Sequence, residues 1–315
     1  MTTQSMQNRR AAVHSVDEFV FSVPDLDVAK RFYTAFGLRL VQHGDRLELY
    51  TDSHPHRWAT IHAGVGKKRL EYVSFGIYAE DLEEMRARIA RAGIGAEPHP
   101  LSDGAGLWLR NPDGTPTRLL VCPKVSPDAK TEPTPARPSV VGQGNAPLRS
   151  QVPQVRPRRL SHVLFFSPDV PCMTHFCEDV LGLRLSDRSE DVIAFIHTPH
   201  GSDHHLIAFA KSNGPGLHHS SWDVGSIDEV GAGSEQMRKA GYPEGWGVGR
   251  HVLGSNYFYY VRDPWGGFAE FSFDIDYVPS GLDWPSADHL PADSLYVWGP
   301  EVPDFFFINY EQAPA

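Results

Sequence analysis

The sequence predicts an α+β fold of two similar halves, each built from two units of one strand, one helix and three strands. Two internal repeats indicate this organisation. In the longer repeat, at 16–40 and 160–185, an apolar run is followed by Pro-Asp, a helical pattern and Gly-Leu-Arg-Leu. In the shorter repeat, at 69–94 and 216–242, a strand pattern leads into a helical pattern that closes on Ala-Gly.

A matching pair of strands follows the shorter repeat in each half. The segments LWLRNPDGTPTRLLVC (107–122) and YFYYVRDPWGGFAEFSFD (257–274) both place an Arg-Asx-Pro-X-Gly turn between two apolar runs. Pro and Gly supply the backbone geometry of such turns, so we expect mixed or antiparallel sheets. Further strands are predicted at 46–50, 58–62, 192–196 and 205–210.

The helix of the longer repeat has an apolar face in both copies. In the first copy Val28, Phe32 and Phe36 recur at every fourth position, which is the spacing of a buried helical stripe. Short polar residues precede each helix and a glycine follows it, as expected for helix caps. The predicted caps are Asp25 or Asp27, Gly37, Asp169 and Gly182.

These patterns predict a first domain at 1–122, a Pro-rich linker at 123–158 and a second domain at 159–315. The His-rich segment 53–58 is expected to form a loop. An aromatic, Pro-broken tail at 283–311 is expected to pack across the mouth of the second half. Its aromatic residues predicted to be buried are Trp298, Phe305, Phe306 and Phe307.

Composition excludes several functional classes. The formal net charge of the 315-residue chain is −10, which argues against a nucleic-acid partner because phosphate binding depends on clustered Lys and Arg. There is no run of 18 apolar residues, so no spanning helix is expected, and the first dozen residues lack the apolar core of a secretory signal. Three cysteines without a CxxC pair favour a reducing cytoplasm over disulfides or a thiolate zinc site.

The two halves differ in chemistry at equivalent positions of the repeats. The second half carries His162, His219 and Glu270 there. Two imidazoles and one carboxylate on one face are the ligand set of Fe(II) oxygenases, which leave coordination positions open for substrate and O2. The equivalents in the first half are Glu18, Tyr72 and Arg118, which do not form a metal-binding set.

The second half also contains a longer motif. His251 is followed by Tyr260 nine residues on and by Glu270 ten further, within GRHVLGSNYFYYVRDPWGGFAEFSFD (249–274). With LSHVLFFSPD, DHHLIAFA and GLHHSSWDV, this segment resembles the catalytic domain of type I extradiol (catechol 2,3-type or 2,3-dihydroxybiphenyl-type) ring-cleavage dioxygenases, in the vicinal oxygen chelate superfamily. The resemblance covers most of 16–311 and is strongest over 160–274.

The resemblance implies a function and a set of roles. It implies two domains of two βαβββ modules each, of which the first is degenerate and lacks the metal. It also implies cleavage of a catechol-type ring by O2 beside its two hydroxyls, and a homo-oligomer. His162, His219 and Glu270 would bind Fe(II), with Mn(II) as an alternative metal. His205 would be the acid/base, with His204 as the neighbouring choice, and His251 and Tyr260 would flank the substrate oxygens.

Two other functions remain open at this point. Glyoxalase-like isomerases of the same superfamily use a metal without O2, but generally need a fourth protein ligand, and no matching carboxylate is evident. Non-catalytic proteins that sequester aromatic compounds need no metal. Leu164 and the Val-Leu-Gly after His251 depart from more polar branches of the family, and both positions bear on the pocket. Aromatic residues at 257–260 and 296–307 indicate a largely apolar pocket that suits an alkyl- or aryl-substituted catechol, and a trihydroxylated ring is equally allowed.

Overall fold

A computed structural model describes residues 10–136 and 138–312, and within these ranges the chain folds into two large sheets with helices packed against them. The predicted α+β class is confirmed. The described helices are α1 (Leu26–Phe36), α2 (Leu82–Ala92), α3 (Val170–Asp179) and α4 (Ile227–Lys239). None of these helices is both long and apolar enough to cross a membrane.

The first half forms a sheet in the order β2-β3-β4-β1-β5-β7-β6. Its strands are β1 (Val13–Val23), β2 (Arg39–His43), β3 (Arg46–Thr51), β4 (His54–Ala63), β5 (Arg69–Ile77), β6 (Leu107–Arg110) and β7 (Pro116–Val121). β1 and β5 lie side by side and antiparallel at its centre, and each also has a parallel neighbour, β4 and β7 respectively.

The second half repeats this arrangement in a larger sheet, in the order β18-β9-β10-β12-β8-β13-β16-β15-β14-β19. Its strands are β8 (Arg159–Ser167), β9 (Arg184–Ser189), β10 (Ile193–His197), β12 (Ile207–Lys211), β13 (Gly216–Asp223), β14 (Gly245–His251), β15 (Tyr257–Arg262), β16 (Phe268–Phe273), β18 (Ala287–Asp288) and β19 (Tyr296–Trp298). Two short strands, β11 (Ser202–Asp203) and β17 (Tyr277–Val278), pair separately. β8 and β13 are the central antiparallel pair, again flanked by parallel neighbours.

One repeat unit is shorter than the sequence predicted. In the first half, only β6 and β7 follow α2, where the other three units have three strands after their helix. The segment between α2 and β6 contributes an isolated bridge from Gly95 to Leu109 instead.

The predicted caps agree with the structure at three of four sites. The carboxylate of Asp25, rather than Asp27, accepts from the first backbone N–H groups of α1, and Asp169 does the same for α3. Gly37 ends α1 at φ 102°, a left-handed conformation that glycine adopts without strain. Gly182 is not the cap of α3, because that helix ends at Asp179 and Gly182 lies beyond it.

The two halves share one apolar core. Phe36 of α1 stacks on Phe271 of β16 with ring centroids 4.0 Å apart, and Phe32 meets Tyr242 edge-on at 5.0 Å. The segment 123–158 has one short 3₁₀ turn, Arg149–Gln151, among its described residues, and Val155 from it is buried in the same core. The halves are therefore packed together and not merely tethered.

Two expectations, one about a loop and one about burial in the tail, were wrong. The segment 53–58 belongs mostly to β4, because this strand is paired on both sides, with β3 and with β1. In the tail Phe306 is buried, but Trp298 is 46% exposed and Phe307 is 50% exposed. Apolar character predicts that a tail packs against the body, but not which of its side chains face inward.

Buried imidazoles make the fold sensitive to acid. Burial lowers the pKa of His197 from 6.5 to about 4, and His197 Nε2 has no hydrogen-bond partner among the described residues. The unfolded chain therefore binds this proton more readily than the folded chain, and the free energy of unfolding decreases as the pH falls from 6.5 toward 4. We predict that His197→Gln lowers this slope by about 1.4 kcal/mol per pH unit, measured by urea unfolding across that window. An unchanged slope in the variant would contradict the prediction.

Candidate metal centre

The register of three neighbouring strands brings the predicted metal ligands together. His162 of β8 lies opposite Ser221 of β13, and Ser221 lies beside Glu270 of β16. Side chains alternate between the two faces of a strand, so His219, two residues before Ser221, lies on the same face. The three side chains therefore converge at the centre of the larger sheet.

The three ligand atoms are close enough to share one ion. His162 Nε2 and His219 Nε2 are 3.4 Å apart, and they lie 3.3 Å and 3.5 Å from Glu270 Oε2. All three side chains are buried. Among the described residues, they form the group of His, Cys, Asp and Glu side chains that meets the spacing of a metal site.

Glu270 supplies the observation that favours a cation. Asn256 Nδ2 donates to Glu270 Oε1 at 3.1 Å, whereas Oε2 has no hydrogen-bond partner among the described residues although it is fully buried. A buried carboxylate oxygen without a partner is strongly unfavourable. A divalent cation between Glu270 and the two imidazoles would satisfy it, so the residues present fit a metal.

Hydrogen bonds fix the ring of His162. Ser161 Oγ donates to Asp203 Oδ2 at 2.8 Å, and Arg159 holds that carboxylate with two further bonds. The Ser161 oxygen is therefore left to accept from His162 Nδ1, 3.3 Å away. This places the lone pair of His162 on Nε2, which faces Glu270.

A pair of histidines does the same for His219. His218 Nε2 donates to the backbone carbonyl of Phe306 at 2.8 Å, and burial lowers the pKa of His218 to about 4. The neutral His218 ring therefore accepts on Nδ1 from His219 Nδ1, 2.7 Å away. The free lone pair of His219 is again on Nε2, the atom that faces the shared position.

The predicted second-sphere residues also lie at this site. The ring of His205 is 4.0 Å from that of His162 between centroids. His251 Nδ1 donates to the carbonyl of Leu295 at 2.8 Å, which leaves His251 Nε2 to accept from the hydroxyl of Tyr260 at 2.9 Å. His251 Nε2 is 4.0 Å from Glu270 Oε1.

Burial keeps these groups neutral. It lowers the pKa of His219 and of His205 well below 6.5, and the neighbouring imidazoles lower them further. Burial also lowers the pKa of His251, and burial together with Glu270 raises the pKa of Tyr260 well above 10. The imidazoles can therefore offer lone pairs at neutral pH without first losing a proton.

A pocket opens onto the three ligands. Its walls beyond the histidines, Asn256 and Tyr260 are mainly apolar, and none of the described residues that line it is Lys or Arg. Apolar lining residues include Leu164, Ile193, Phe195, Leu253, Phe306 and Phe307. The tail thus contributes to the cavity wall through Phe306 and Phe307.

The first half has an arginine at the corresponding place. Glu18, Ser74 and Arg118 share the register of His162, Ser221 and Glu270. The fully buried guanidinium of Arg118 lies 3.3 Å from Glu18 and 3.4 Å from Asp17, and it donates to Ser74. The guanidinium of Arg118 therefore lies among the carboxylates, at the place where the second half has room for an ion.

Sequence reasoning missed the residues that orient the ligands. Ser161 and Asn256 lie within the motif segments but received no role, and the contact of Ser161 with Asp203 joins residues 42 positions apart. The doublets His204–His205 and His218–His219 were visible in the sequence, but only one member of each received a role. Each outer histidine is hydrogen-bonded to its neighbour, a contact that strand alternation does not predict.

Comparisons with known proteins agree on the fold and the family. The family model for the glyoxalase/bleomycin resistance protein/dioxygenase superfamily matches residues 159–271. The chain is 50% identical over 303 residues to metapyrocatechase 2 of Cupriavidus necator, covering 96% of this chain and 94% of that relative.

Solved structures with this fold are more distant in sequence. A Mn(II)-bound glyoxalase from Novosphingobium aromaticivorans has a TM-score of 0.75 at 24% identity, covering 94% of both chains. A catechol 2,3-dioxygenase has a TM-score of 0.71 at 20% identity, covering 94% of this chain and 98% of that one. At these identities the structures establish the shared fold.

The hydrogen bond from Asn256 to Glu270 has a measurable consequence. We predict that Asn256→Ala weakens metal binding by about 10- to 100-fold, because groups that orient a ligand typically contribute that much to affinity. The metal dissociation constant, measured by competition with a chelator, checks this. Asn111→Ala, which removes an Asn side chain from a turn of the first half, should leave the constant unchanged. Equal constants for wild type and Asn256→Ala would show that the bond does not orient the ligand.

Proposed function

Because the chain belongs to the extradiol ring-cleavage dioxygenases of this superfamily, we propose that it opens a catechol-type ring with O2 beside the two hydroxyls. The product would be an acid of the muconic semialdehyde type. The single observation that carries the proposal is the buried Glu270 oxygen without a partner, facing the lone pairs of His162 and His219. This ligand set leaves positions free for both reactants.

We assign Fe(II) to this site as part of the proposal. Two neutral imidazoles and one carboxylate form the facial set of non-haem Fe(II) oxygenases, and Mn(II) accepts the same ligands. The Mn(II)-bound glyoxalase of similar fold keeps manganese as the alternative. When bound, the metal makes a catechol hydroxyl more acidic and holds the diol and O2 next to each other.

The chain's own residues would move protons and orient the ring. His205, neutral and beside His162, is placed to accept a proton from the substrate and to donate it later in the reaction. The Nδ1–H of His251 is used by Leu295, so the His251–Tyr260 pair acts as a unit that shares the hydroxyl proton of Tyr260. Near Glu270, this pair is placed to hold a substrate oxygen.

The cavity wall favours an uncharged substituent on the ring. A carboxylated catechol would bring a negative charge against walls such as Leu164, Ile193 and Phe195, with no Lys or Arg among the described lining residues to pair with it. An alkyl or aryl group would instead bury apolar surface there. We therefore assign an alkyl- or aryl-substituted catechol as substrate, in preference to a trihydroxylated ring.

The proposal also covers assembly and compartment. The three cysteines are free thiols in the structure, in keeping with a reducing cytoplasm. We assign a homo-oligomer because the resemblance implies one. Light scattering of the purified protein measures the subunit number directly.

The metal assignment depends on the charge of Glu270. We predict that Glu270→Gln, which keeps the shape but removes the negative charge, weakens metal binding by at least about a hundredfold, since even outer-sphere groups contribute up to that much. Elemental analysis after dialysis measures the metal per chain and identifies iron or manganese. Glu48→Gln, at another buried glutamate, should keep the full complement. A full complement in Glu270→Gln would refute the ligand assignment.

Oxygen consumption tests the reaction itself. We expect the Fe(II)-loaded protein to consume O2 with alkyl- and aryl-substituted catechols, to yield a coloured product, and to turn over carboxylated catechols poorly. His205→Phe should keep the metal but lower kcat by about 10²- to 10⁴-fold, the usual contribution of an acid/base group. No O2 uptake with any catechol would overturn the proposed function. Unchanged kcat in His205→Phe would dismiss only that residue.

A further inference from the structure

A second line of hydrogen bonds runs outward from His205, away from the cavity. Nδ1 of His205 lies 3.0 Å from Nδ1 of His204, and Nε2 of His204 lies 2.9 Å from Oδ2 of Asp187. All three side chains are buried, His204 completely. Among the described residues, neither Asp187 nor His204 is hydrogen-bonded to a proposed metal ligand. Any effect of these two residues on the site therefore passes through His205.

Asp187 can only accept in this arrangement. Besides His204, its carboxylate accepts from Nε2 of His289 at 3.0 Å, from Nε1 of Trp284 at 3.2 Å and from the backbone N–H of Ala287 at 3.0 Å. Burial would raise the pKa of Asp187, but the hydrogen bonds from His204, His289 and Ala287 outweigh it and lower the pKa to about 2. Asp187 is therefore ionised, and the proton of the first bond belongs to Nε2 of His204.

The position of that proton determines the next one. When the His204 ring carries a single N–H and that N–H is on Nε2, its Nδ1 is an acceptor. Nδ1 of His205 faces it at 3.0 Å and must be the donor. The lone pair of a neutral His205 is then on Nε2. The pair repeats the arrangement of His218 and His219, in which an outer histidine held by an acceptor fixes the ring of the inner one.

We propose that Asp187 and His204 are positioning residues that hold His205 in the Nδ1–H tautomer, so that its Nε2 can take a proton from the substrate. The inference rests on the proposed function, because only a reaction that begins by deprotonating a bound hydroxyl needs this tautomer. In the opposite tautomer, Nε2 would carry a hydrogen and could not act as a base. The ring would keep its orientation, but its N–H and its lone pair would exchange places between Nδ1 and Nε2.

Asp187→Asn reverses the tautomer without removing a side chain. The N–H of Ala287 and Nε2 of His289 both donate to one oxygen of Asp187, so the amide oxygen of Asn stays on that side and its NH₂ replaces the oxygen that faces His204 and Trp284. The NH₂ then faces His204, and the bond from Trp284 is lost. Nε2 of His204 then accepts, its Nδ1 donates to Nδ1 of His205, and the proton of His205 moves to Nε2. We expect kcat to fall about 10²-fold or more, with unchanged metal content and little change in KM.

A matched control touches the same carboxylate outside the line. His289 donates to the other oxygen of Asp187 and is one-third exposed, so His289→Gln should leave kcat unchanged. A second pair of variants keeps the test valid if Asp187→Asn does not fold. His204→Gln retains an acceptor for His205 and a donor for Asp187, and should therefore keep more of kcat than His204→Phe, which retains neither.

The tautomer itself is read by ¹⁵N NMR of the full-length protein with diamagnetic Zn(II) bound, with the His205 signals assigned by their loss in His205→Phe. We expect N–H at Nδ1 in wild type and His289→Gln, and at Nε2 in Asp187→Asn. An Nε2–H signal in wild type, or a folded Asp187→Asn protein that keeps the wild-type tautomer or kcat, would overturn the proposal. If wild type consumes no O2 with any catechol, the proposed function fails, whereas the tautomer is still read independently.

Discussion

A carboxylate oxygen removed from water must find a positive partner, and the second half of the chain is organised around one such atom. Oε2 of Glu270 is fully buried, and the lone-pair nitrogens of His162 and His219 lie 3.3 Å and 3.5 Å from it. Those rings supply no positive charge of their own while they remain neutral. The strand register, the amide of Asn256 and the buried histidine pair all direct donor atoms to this one position, and a metal ion there would supply the missing charge.

The first half meets the same electrostatic demand in another way. Its strands have the same register, and its buried carboxylates Asp17 and Glu18 surround the guanidinium of Arg118. The guanidinium of Arg118 is part of the chain and offers no open coordination position to a reactant. It therefore stabilises this half without providing a reactive centre. The comparison explains how two copies of one module can share a topology and differ in what they do.

The sequence predicted which three side chains converge, because their convergence follows from the regularity of sheets. His162, His219 and Glu270 stand at repeat-related positions, and the pleat keeps such positions on one face. Asn256 and Asp187 could not be predicted this way. Asn256 lies between strands, directly after Ser255 with its positive φ, and Asp187 of β9 reaches His204 in the connection between β11 and β12. Their contacts depend on how loops and strand edges pack, which no periodicity records. The predictions that Trp298 is buried and that 53–58 forms a loop were wrong for the same reason.

Phe306 of the tail contributes to the site through both its side chain and its backbone. The ring of Phe306 forms part of the cavity wall, while its carbonyl oxygen holds His218 and, through it, His219. Every amino acid has that carbonyl, so the ring can be exchanged without removing the support behind the ligand. Substitutions at this position can therefore change which molecules fit the cavity without removing the hydrogen bond that orients the proposed metal ligand.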